Sequence, residues 1–349
     1  MEGVTLESLG GWPFVLGRLL RREDLAAAEA AAALREILEG NASDAQIAAF
    51  AVGLRIKGES VEEIAALVRT MLDFAEPVRA GDVVDTCGTG GDRSHSINVS
   101  TIAAFVVAGA GARVCKHGNR AASSAAGSAD VLEALGVRID MDARGVERCI
   151  QEAGMGFCFA PRFHPASRYA IPARRDLGVP TVFNFLGPLA NPARPRRQLV
   201  GVSDPTMAEK VLGVLEANGA EQAMVVYGHD GLDELTTTTT STLLHLSHGS
   251  VRTAVVDPAA LGLRQASSDE LRGGDPARNA ALARRVLDGQ TGPHRDVVVL
   301  NAGAAMVVAG LAGDLGEGVE VARGAIDDGR AMGVLDRLVA ASAAADAAH

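Results

Sequence analysis

The sequence has little positive charge and very little lysine. Its 349 residues carry 33 Lys and Arg against 43 Asp and Glu, which gives a formal net charge of −10. General nucleic-acid binding needs clustered positive charge, so this balance argues against it. Small anionic ligands remain possible, because a few local donors are enough to hold them. Only three lysines occur, Lys57, Lys116 and Lys210, so arginine supplies nearly all the positive charge.

Signals for export and membrane insertion are also missing. The N-terminus has early acidic residues and no basic-then-apolar stretch, so we expect no signal peptide. The longest apolar run, residues 99–114, is interrupted by Ser100, Thr101 and glycines and is too short to span a bilayer. We therefore expect a cytoplasmic protein without a membrane segment.

The cysteines lack any spacing typical of a metal site. There are four: Cys87, Cys115, Cys149 and Cys158. No C-x-x-C pair is present, and a chain of this length does not depend on a disulfide framework. We expect four free thiols in a reducing compartment.

The remaining composition is that of an ordinary folded protein. Hydrophobic residues make up 48% and charged residues 22% of the chain, which excludes a mainly disordered protein. The 40 glycines follow no G-X-Y period, so a collagen-like chain is excluded, and we find no internal repeat. The length suggests two domains.

The first part of the chain is predicted to be helical. Apolar residues recur at helical spacing through residues 24–74, with a cap predicted at Ser43 and a capping box at Ser60 and Glu63. No strand signal occurs before about residue 82. This predicts a small all-helical domain over residues 1–80.

Strands and helices then alternate. We predict strands at 82–86, 113–115, 199–202 and 223–227, and helices at 100–109, 129–135 and 208–218. The fold class is therefore α/β, with a small all-helical domain and a larger α/β domain, residues 81–349, built on a mostly parallel central sheet. Residues 161–192 are proline-rich and loop-like, and part of this segment is expected to join the helical domain. Residues 340–348 are expected to be a fraying helix end.

A glycine-rich turn follows the first predicted strand. It runs through residues 85–92 (DTCGTGGD) and leads to Asn98, Ser100 and Thr101 at a helix start. Glycines allow a ligand to approach the backbone, and the N–H groups of a helix start favour an anion such as phosphate. The alternative is a structural turn capped by Ser100. The pattern is neither a Walker A loop nor a dinucleotide-binding motif.

A second polar cluster follows the next strand. Residues 116–124 read KHGNRAASS, with Gly127 and Ser128 just beyond. A lysine in an arginine-rich chain suggests a need for a compact ammonium group, and Lys116 with Arg120 suits a phosphate or pyrophosphate. The alternative is a solvated polar loop.

Two further features are less specific. Asp233 and Glu234 are adjacent acids that could hold Mg²⁺, although such pairs are common in surface turns. The threonines at 236–240 that follow them fit either β structure or a polar turn. Arg174 lies on the segment expected to cross between domains and could bind a carboxylate bidentately, although it could also be an ordinary surface arginine.

In this order, the motifs D-T-x-G-T-G-G-D, N-x-S-T, K-H-G-N-R, N-x-L-G-P-L-x-N-P and G-L-D-E resemble the anthranilate phosphoribosyltransferase family over nearly the whole chain. The resemblance implies transfer of the 5-phosphoribosyl group from phosphoribosyl pyrophosphate (PRPP) to anthranilate in tryptophan biosynthesis. It also implies Mg²⁺ as cofactor, with two ions per active site, and a homodimer that associates through the helical domain.

The resemblance also assigns site residues. It implies a catalytic role for Lys116, Asp233 and Glu234, metal binding by Ser100, Asp233 and Glu234, and anthranilate binding by Gly88, His117, Asn119 and Arg174. The residues implied to bind PRPP are Gly88, Gly91, Asp92, Ser96, Asn98, Ser100, Thr101, Lys116, His117, Gly118, Asn119, Arg120, Ala121, Ala122, Ser123, Ser124 and Ser128.

The sequence departs from the family pattern at two places. The loop at residues 93–97 (RSHSI) is bulkier and more basic than expected, and Ser167 stands where a larger side chain often lines the anthranilate entrance. Three alternatives stay open: a pyrimidine nucleoside phosphorylase of the same fold, an enzyme of this fold with another aromatic amine as acceptor, and a non-catalytic nucleic-acid-binding relative.

Overall fold

The computed structural model describes residues 4–92, 94–121 and 125–344. The chain begins with a helical bundle, whose elements are α1 (Gly11–Leu20), α2 (Ala27–Leu38), α3 (Asp44–Lys57) and α4 (Val61–Asp73). The predicted caps are confirmed. Ser43 Oγ accepts a hydrogen bond from Gln46 N, and Ser60 Oγ accepts one from Glu63 N. No strand precedes residue 84 in the described chain, as predicted.

A seven-stranded sheet follows the bundle. Its strands are β1 (Val84–Gly88), β2 (Val114–Gly118), β3 (Met155–Phe159), β4 (Arg197–Gly201), β5 (Gln222–Gly228), β6 (Ser241–Ser247) and β7 (Ser250–Val256). Their order is β3-β2-β1-β4-β5-β6-β7. The pairs from β3 to β5 are parallel, and β6 and β7 are added antiparallel. The predicted α/β fold with a mostly parallel sheet is confirmed.

Helices cover both faces of the sheet. They are α5 (Val99–Gly109), α6 (Ser128–Ala134), α7 (Ala143–Ala153), α8 (Ala160–Phe163), α9 (Ile171–Leu177), α10 (Phe183–Leu189), α11 (Ala208–Ala217), α12 (Pro276–Leu287), α13 (Pro293–Ala309), α14 (Leu315–Asp327) and α15 (Arg330–Ala344). No helix of the described chain is both long and apolar enough to cross a membrane.

The sheet separates two hydrophobic cores. Along β5, Met224 and Val226 belong to the core shared with α5 and α12–α15, while Ala223 and Val225 belong to the core shared with the helical bundle and α11. Successive side chains of a strand point to opposite faces, so a sheet covered on both sides is apolar throughout. The bundle is thus fixed against one face of the sheet.

The prediction of a loop at residues 161–192 was wrong. Three short α-helices, α8–α10, and a 3-10 helix at Pro165–Ala170 occupy this segment. Three of the six prolines lie in first helical turns, where no backbone N–H is needed, and Pro188 lies inside α10. Ala170, Ala173 and Val182 pack in the same core as the helical bundle. The division of the chain at residue 80 stays a prediction.

Other differences are smaller. Strand β3, the β6–β7 hairpin and helices α7 and α12–α14 were not predicted. The threonines at 236–240 form a polar turn before β6, the second of the two alternatives. The C-terminal helix α15 is present to Ala344, and the rest of the predicted helix end lies outside the described residues.

Candidate active site

The ends of β1 and β4 meet the turn that carries Asp233. The two strands are parallel, and Gly88 is paired with Gly201 at their carboxyl ends. A Cβ atom on Gly88 would lie 2.3 Å from Asp233 Oδ2, and one on Gly201 would lie 1.6 Å from the Asp233 backbone oxygen. Only glycine at both positions allows this close approach. The edge at the carboxyl ends of the strands is where ligands bind in open α/β sheets.

The glycine-rich turn is fastened to this acidic residue. Gly90 and Gly91 have φ angles of +69° and +84°, which glycine adopts without strain. The Gly90 N–H donates a hydrogen bond to Asp233 Oδ2 at 2.6 Å, and Ser203 Oγ donates one to Gly90 O at 2.9 Å. Ser203 lies outside all of the predicted motifs.

The next residues fold back on themselves. The Asp92 carboxylate accepts hydrogen bonds from Ser94 N at 3.2 Å and Ser94 Oγ at 2.8 Å, and Ser94 Oγ lies 3.2 Å from Ser96 Oγ. His95 has a φ angle of +55°, a left-handed conformation that is uncommon for residues other than glycine. Arg93 lies outside the described residues.

Helix α5 begins beside the acidic pair. The Ser100 N–H donates a hydrogen bond to Glu234 Oε1 at 3.1 Å. Asn98 is engaged within the protein, because its Nδ2 donates to Ala126 O at 3.0 Å and its Oδ1 accepts from Asn279 Nδ2 at 2.8 Å. Thr101 is buried. Of the three predicted residues, Ser100 therefore lies directly at the carboxylates.

Lys116 is buried without an ion pair. The residue is 2% exposed, and its Nζ donates hydrogen bonds to Thr86 O and, at 3.3 Å, to Ser100 Oγ. No carboxylate of the described residues lies within 4 Å of this ammonium group. A buried charge without a partner is costly, so a positive charge kept here suggests an anionic ligand.

Asp233 and Glu234 are buried carboxylates that form no ion pair within 4 Å in the described chain. Burial raises the pKa of Glu234 to about 7, and the nearby Lys116 offsets part of that effect. Burial also raises the pKa of Asp233 well above its usual range, and the charges of Glu234 and Asp92 add to the rise. Such a pair is stabilised in its charged form when a cation binds.

The donor set fits Mg²⁺ better than a metal held by protein alone. No group of three or more His, Cys, Asp or Glu side chains in the described residues could hold a metal ion. Mg²⁺ typically takes one or two protein carboxylates and completes its shell with water and substrate phosphates. The two buried carboxylates match that pattern.

His117 is neutral and fixed in one tautomer. Its Nδ1 lies 3.0 Å from Gly187 O, and since a carbonyl can only accept, Nδ1 carries the proton. Its Nε2 is buried without a partner. Burial lowers the pKa of His117 to about 3, with a further contribution from His164, whose ring centroid is 5.1 Å away. His117 therefore offers a free acceptor atom at the end of β2.

The residues after His117 are held close to α6. A Cβ atom on Gly118 would lie 2.1 Å from Ser128 Oγ, and Ser128 Oγ itself donates to Asn119 O at 3.3 Å. The Ala121 N–H donates to Asp130 Oδ2 at 2.9 Å. Ala122, Ser123 and Ser124 lie outside the described residues.

Arg120 does not present a free charge. Its guanidinium group forms ion pairs with Asp130 at 2.9 Å and Glu133 at 2.8 Å, and it lies over the Phe159 ring. Arg120 and Lys116 were predicted together, but in this structure only Lys116 is without a carboxylate partner.

Arg174 lies on α9. Its guanidinium group lies over the Phe183 ring, 5.7 Å from the centroid, and it makes no hydrogen bond or ion pair with the described residues. Ser167 lies in the 3-10 helix before α9, where its N–H donates to His164 O at 3.0 Å. Arg174 is thus free to bind an anion.

Two buried residues of the site had no role in the sequence analysis. Asp85 of β1 accepts a hydrogen bond from Asn191 Nδ2 at 2.8 Å and one from His117 N at 3.4 Å. Burial raises the pKa of Asp85 to about 6, and Lys116 counteracts this. A charged residue inside an otherwise apolar strand was the signal that could have identified Asp85.

The chain resembles known proteins over almost all of its length. A family model described as "Glycosyl transferase family, a/b domain" matches residues 80–332, and one described as "Glycosyl transferase family, helical bundle domain" matches residues 14–75. An anthranilate phosphoribosyltransferase from Nocardioides sp. is 55% identical over 338 residues, 95% of this chain and 99% of that protein.

Solved structures agree with these matches. The crystal structure of anthranilate phosphoribosyltransferase from Thermus thermophilus has a TM-score of 0.89 at 42% identity, covering 94% of this chain and 99% of that one. The Saccharomyces cerevisiae enzyme in complex with PRPP and Mg has a TM-score of 0.87 at 25% identity, covering 95% and 98%.

Proposed function

The chain belongs to the anthranilate phosphoribosyltransferase family, and on this premise we propose that it transfers the 5-phosphoribosyl group of PRPP to the amine of anthranilate. The products are N-(5-phosphoribosyl)anthranilate and pyrophosphate, in tryptophan biosynthesis. The observation that carries the proposal is the unpaired Lys116 beside the unpaired acids Asp233 and Glu234 at the carboxyl edge of the sheet.

PRPP is proposed to bind along the glycine-rich turn and the start of α5. The free ammonium group of Lys116 would contact the pyrophosphate, because it has no carboxylate partner in the described chain. The further PRPP contacts are proposed for Gly88, Gly91, Asp92, Ser96, Asn98, Ser100, Thr101, His117, Gly118, Asn119, Arg120, Ala121, Ala122, Ser123, Ser124 and Ser128. Arg120 is the least supported of these, since Asp130 and Glu133 already neutralise it.

Mg²⁺ is proposed to be held by Asp233, Glu234 and the hydroxyl group of Ser100, with two ions per active site. When bound, it supplies positive charge to the pyrophosphate oxygens. The two acids are supported by their burial and by their raised pKa values, which indicate carboxylates in need of a cation.

Anthranilate is proposed to bind between Gly88, His117, Asn119 and Arg174. Arg174 makes no ion pair in the described chain and would hold the carboxylate through its planar guanidinium group. The unpartnered Nε2 of His117 would accept one N–H of the aromatic amine. This arrangement would present the nitrogen lone pair to the ribose.

The reaction requires little acid–base catalysis by the protein. The bond between ribose C1 and the pyrophosphate oxygen breaks, the amine nitrogen forms the new bond to C1, and the nitrogen releases one proton to water. An aromatic amine is neutral at pH 7, so no strong general base is required. The protein's task is to orient the two substrates and to stabilise the charge that develops on the leaving group, which Lys116 does.

A homodimer through the helical bundle is also proposed. Large apolar side chains are exposed on α1, α3 and the α9 region, and α3 packs against both α1 and α9. They are Leu20, Ile56, Ile171 and Val179. Burying them against a second copy would remove apolar surface from water. A cytoplasmic location is proposed because the four cysteines are free thiols, as expected in a reducing compartment.

The test is the loss of anthranilate fluorescence with time in the presence of purified protein, PRPP and Mg²⁺. We expect loss that requires all three components. No loss by a folded protein would contradict the proposal, and phosphate-dependent release of a free base from a nucleoside would assign the protein to the phosphorylases of this fold. If the protein converts another aromatic amine but not anthranilate, then the proposed acceptor is wrong and the proposed transfer from PRPP still holds.

A further inference from the structure

The two strands that carry the substrate loops are poorly paired with each other. Strand β1 pairs with β4 through five register positions, and β2 pairs with β3 through five. Within the described residues, the register between β1 and β2 contains only Val84 and Val114, at the amino ends. The glycine-rich turn and Lys116 therefore follow strand ends that backbone pairing does not hold together.

Side chains bridge these strand ends instead. Asn191, 1% exposed, donates from Nδ2 to Asp85 Oδ2 on β1 and to Cys115 O on β2, both at 2.8 Å. Its Oδ1 accepts from Ala193 N at 2.9 Å, so the amide group is itself held in place. Asp85 completes the bridge, because its Oδ1 accepts from His117 N of β2 at 3.4 Å.

The bridge lies directly under the candidate active site. Asp85 precedes Thr86, whose carbonyl oxygen accepts a hydrogen bond from Lys116 Nζ. His117 donates its backbone N–H to Asp85, and the Nε2 atom of its side chain has no hydrogen-bond partner. Asn191 belongs to the N-x-L-G-P-L-x-N-P motif, of which only Gly187 has so far been connected to the site, through His117.

We propose that Asn191 and Asp85 are positioning residues, which set the spacing of the β1 and β2 ends and thereby the placement of Lys116 and His117 for the transfer reaction. Neither residue touches substrate in this scheme. The catalytic part of the proposal rests on the proposed function, whereas the bridging part can be measured without any reaction.

Hydrogen–deuterium exchange tests the bridging directly in the full chain. Asn191→Ala should raise exchange in peptides covering β1 and β2 by about tenfold, because local opening becomes easier when the bridge is lost. Asp85→Asn keeps the side-chain shape and serves as the second variant if Asn191→Ala folds poorly. The effect should be confined to these two strands.

Gln222→Ala is the matched control. The Gln222 side chain also bridges two strands, since its Nε2 donates to Ser247 Oγ at 3.0 Å and its Oε1 lies 3.1 Å from His245 Nε2. Here, however, β5 and β6 are paired through seven register positions. Backbone pairing should make this side-chain bridge dispensable, so exchange in β5 and β6, as well as in β1 and β2, should stay as in the wild-type protein.

Kinetics test the positioning. Asn191→Asp and Asp85→Asn should each lower kcat by about 30-fold and raise the KM for PRPP by a smaller factor, because both variants displace Lys116. Here kcat is calculated per functional site, and a calorimetric titration with PRPP counts those sites. The double variant Asp85→Asn/Asn191→Asp restores an amide–carboxylate hydrogen bond between positions 85 and 191, although Cys115 O loses its donor, so the rescue should be partial. Its kcat should be well above the product of the single losses, because coupled residues are not additive.

Three results would overturn the proposal. If hydrogen exchange in β1 and β2 of Asn191→Ala is unchanged, or is raised equally throughout the sheet, then Asn191 does not hold these two strands together. If the single variants lose stability but keep the wild-type kcat per PRPP-binding site, then Asn191 and Asp85 support the fold and do not position catalytic groups. A double variant with fully additive losses shows no interaction. If the wild-type protein itself does not consume anthranilate, the proposed function fails, and the exchange experiment alone decides the bridge.

Discussion

Two buried lysines in different regions of the molecule have opposite surroundings. In the helical bundle, Lys57 Nζ lies 2.6 Å from Asp24 Oδ1 and 2.8 Å from Glu63 Oε2, and it donates to Gly58 O at 2.9 Å. At the strand ends, the buried Lys116 has only a carbonyl and a hydroxyl oxygen as partners. One lysine is neutralised by the fold and the other is not.

The acids near the two lysines differ in the same way. Glu63 binds Lys57 and also accepts hydrogen bonds from Leu25 N and Ser60 N, so every part of its carboxylate is used. Burial alone would lower the pKa of Lys57, but Asp24 and Glu63 outweigh it and raise that pKa. Glu234, near Lys116 but not ion-paired with it, has its pKa raised by burial. Charges satisfied within the fold support structure, and charges left unsatisfied in a buried site indicate a ligand.

The largest expected effect comes from removing the unsatisfied lysine. Lys116→Met should lower kcat by about 1,000-fold, equivalent to about 4 kcal/mol, because the ammonium group stabilises the departing pyrophosphate. Stability should be unchanged or higher, since an unpaired buried charge is lost. Steady-state kinetics and urea unfolding measure the two quantities. Turnover within tenfold of the wild-type value would contradict the comparison.

Removing the satisfied lysine should do the reverse. Lys57→Met leaves Glu63 buried without its cation and should lower the free energy of unfolding by about 3 kcal/mol. Turnover per folded molecule should stay at the wild-type level. Lys210→Met is the control, because Lys210 makes no ion pair in the described chain, and its effect should be under about 0.5 kcal/mol. If folded Lys57→Met lost turnover, then Lys57 would also support the reaction, and the contrast between the two lysines would be wrong.

The acids extend the comparison. Glu234→Gln should raise the Mg²⁺ concentration for half-maximal activity by about 100-fold, equivalent to about 2.7 kcal/mol, because one charged ligand is lost. The same change removes a buried, unpaired carboxylate, so stability at pH 8 should not fall. Glu63→Gln should lower stability and leave the Mg²⁺ requirement unchanged. Urea unfolding and Mg²⁺ titrations of activity separate the two cases, and identical behaviour of both variants would refute the distinction.

His117 should have a smaller effect, on the pH dependence of stability, because it is buried in its neutral form. Its pKa of about 3 lies below the unfolded value, so its contribution to stability is full above about pH 6.5 and is lost as the pH falls toward 3. At pH 5 the loss should be about 2 kcal/mol. Asp85, with its pKa raised to about 6, Glu234, with its pKa raised to about 7, and Asp233, with its pKa also raised, change stability in the opposite direction as the pH falls. These three groups are common to all the proteins compared, so only the difference between proteins reports on His117.

Urea unfolding at pH 7 and pH 5 measures this loss. His117→Asn should show a smaller drop in stability between the two pH values than the wild-type protein. His248→Asn is the control, because His248 is exposed in the β6–β7 turn with a positive φ that asparagine tolerates. Equal drops in the wild-type protein and His117→Asn would mean that His117 is not held neutral.

Much of the framework follows from local sequence. The strand before the glycine-rich turn and the helix after it were predicted within two residues of β1 and α5, because apolar runs and turn residues are local signals. The scarcity of lysine, together with the position of Lys116 in a polar cluster after a predicted strand, draws attention to Lys116. Strands β6 and β7 were missed, and β7 is largely exposed, so its side chains show no alternation of apolar and polar residues.

Which charges are satisfied could not be read from local sequence. Lys57 forms an ion pair with Asp24, which lies 33 positions away in the sequence. Arg120 forms ion pairs with Asp130 and Glu133 on the following helix. Asn191 reaches Asp85 over 106 positions, although the two stand in separate motifs. Pairing across such distances depends on how the elements pack, and a pattern of residue types does not encode it.

A calorimetric titration of PRPP in the presence of Mg²⁺ tests the central claim most directly. That claim is that the unsatisfied charges around Lys116 form the PRPP site, whereas the satisfied charges around Lys57 do not. The wild-type protein and folded Lys57→Met should bind PRPP within about threefold of each other, and Lys116→Met should bind it about 100-fold more weakly. Equal affinity for PRPP in Lys116→Met and the wild-type protein would contradict the account.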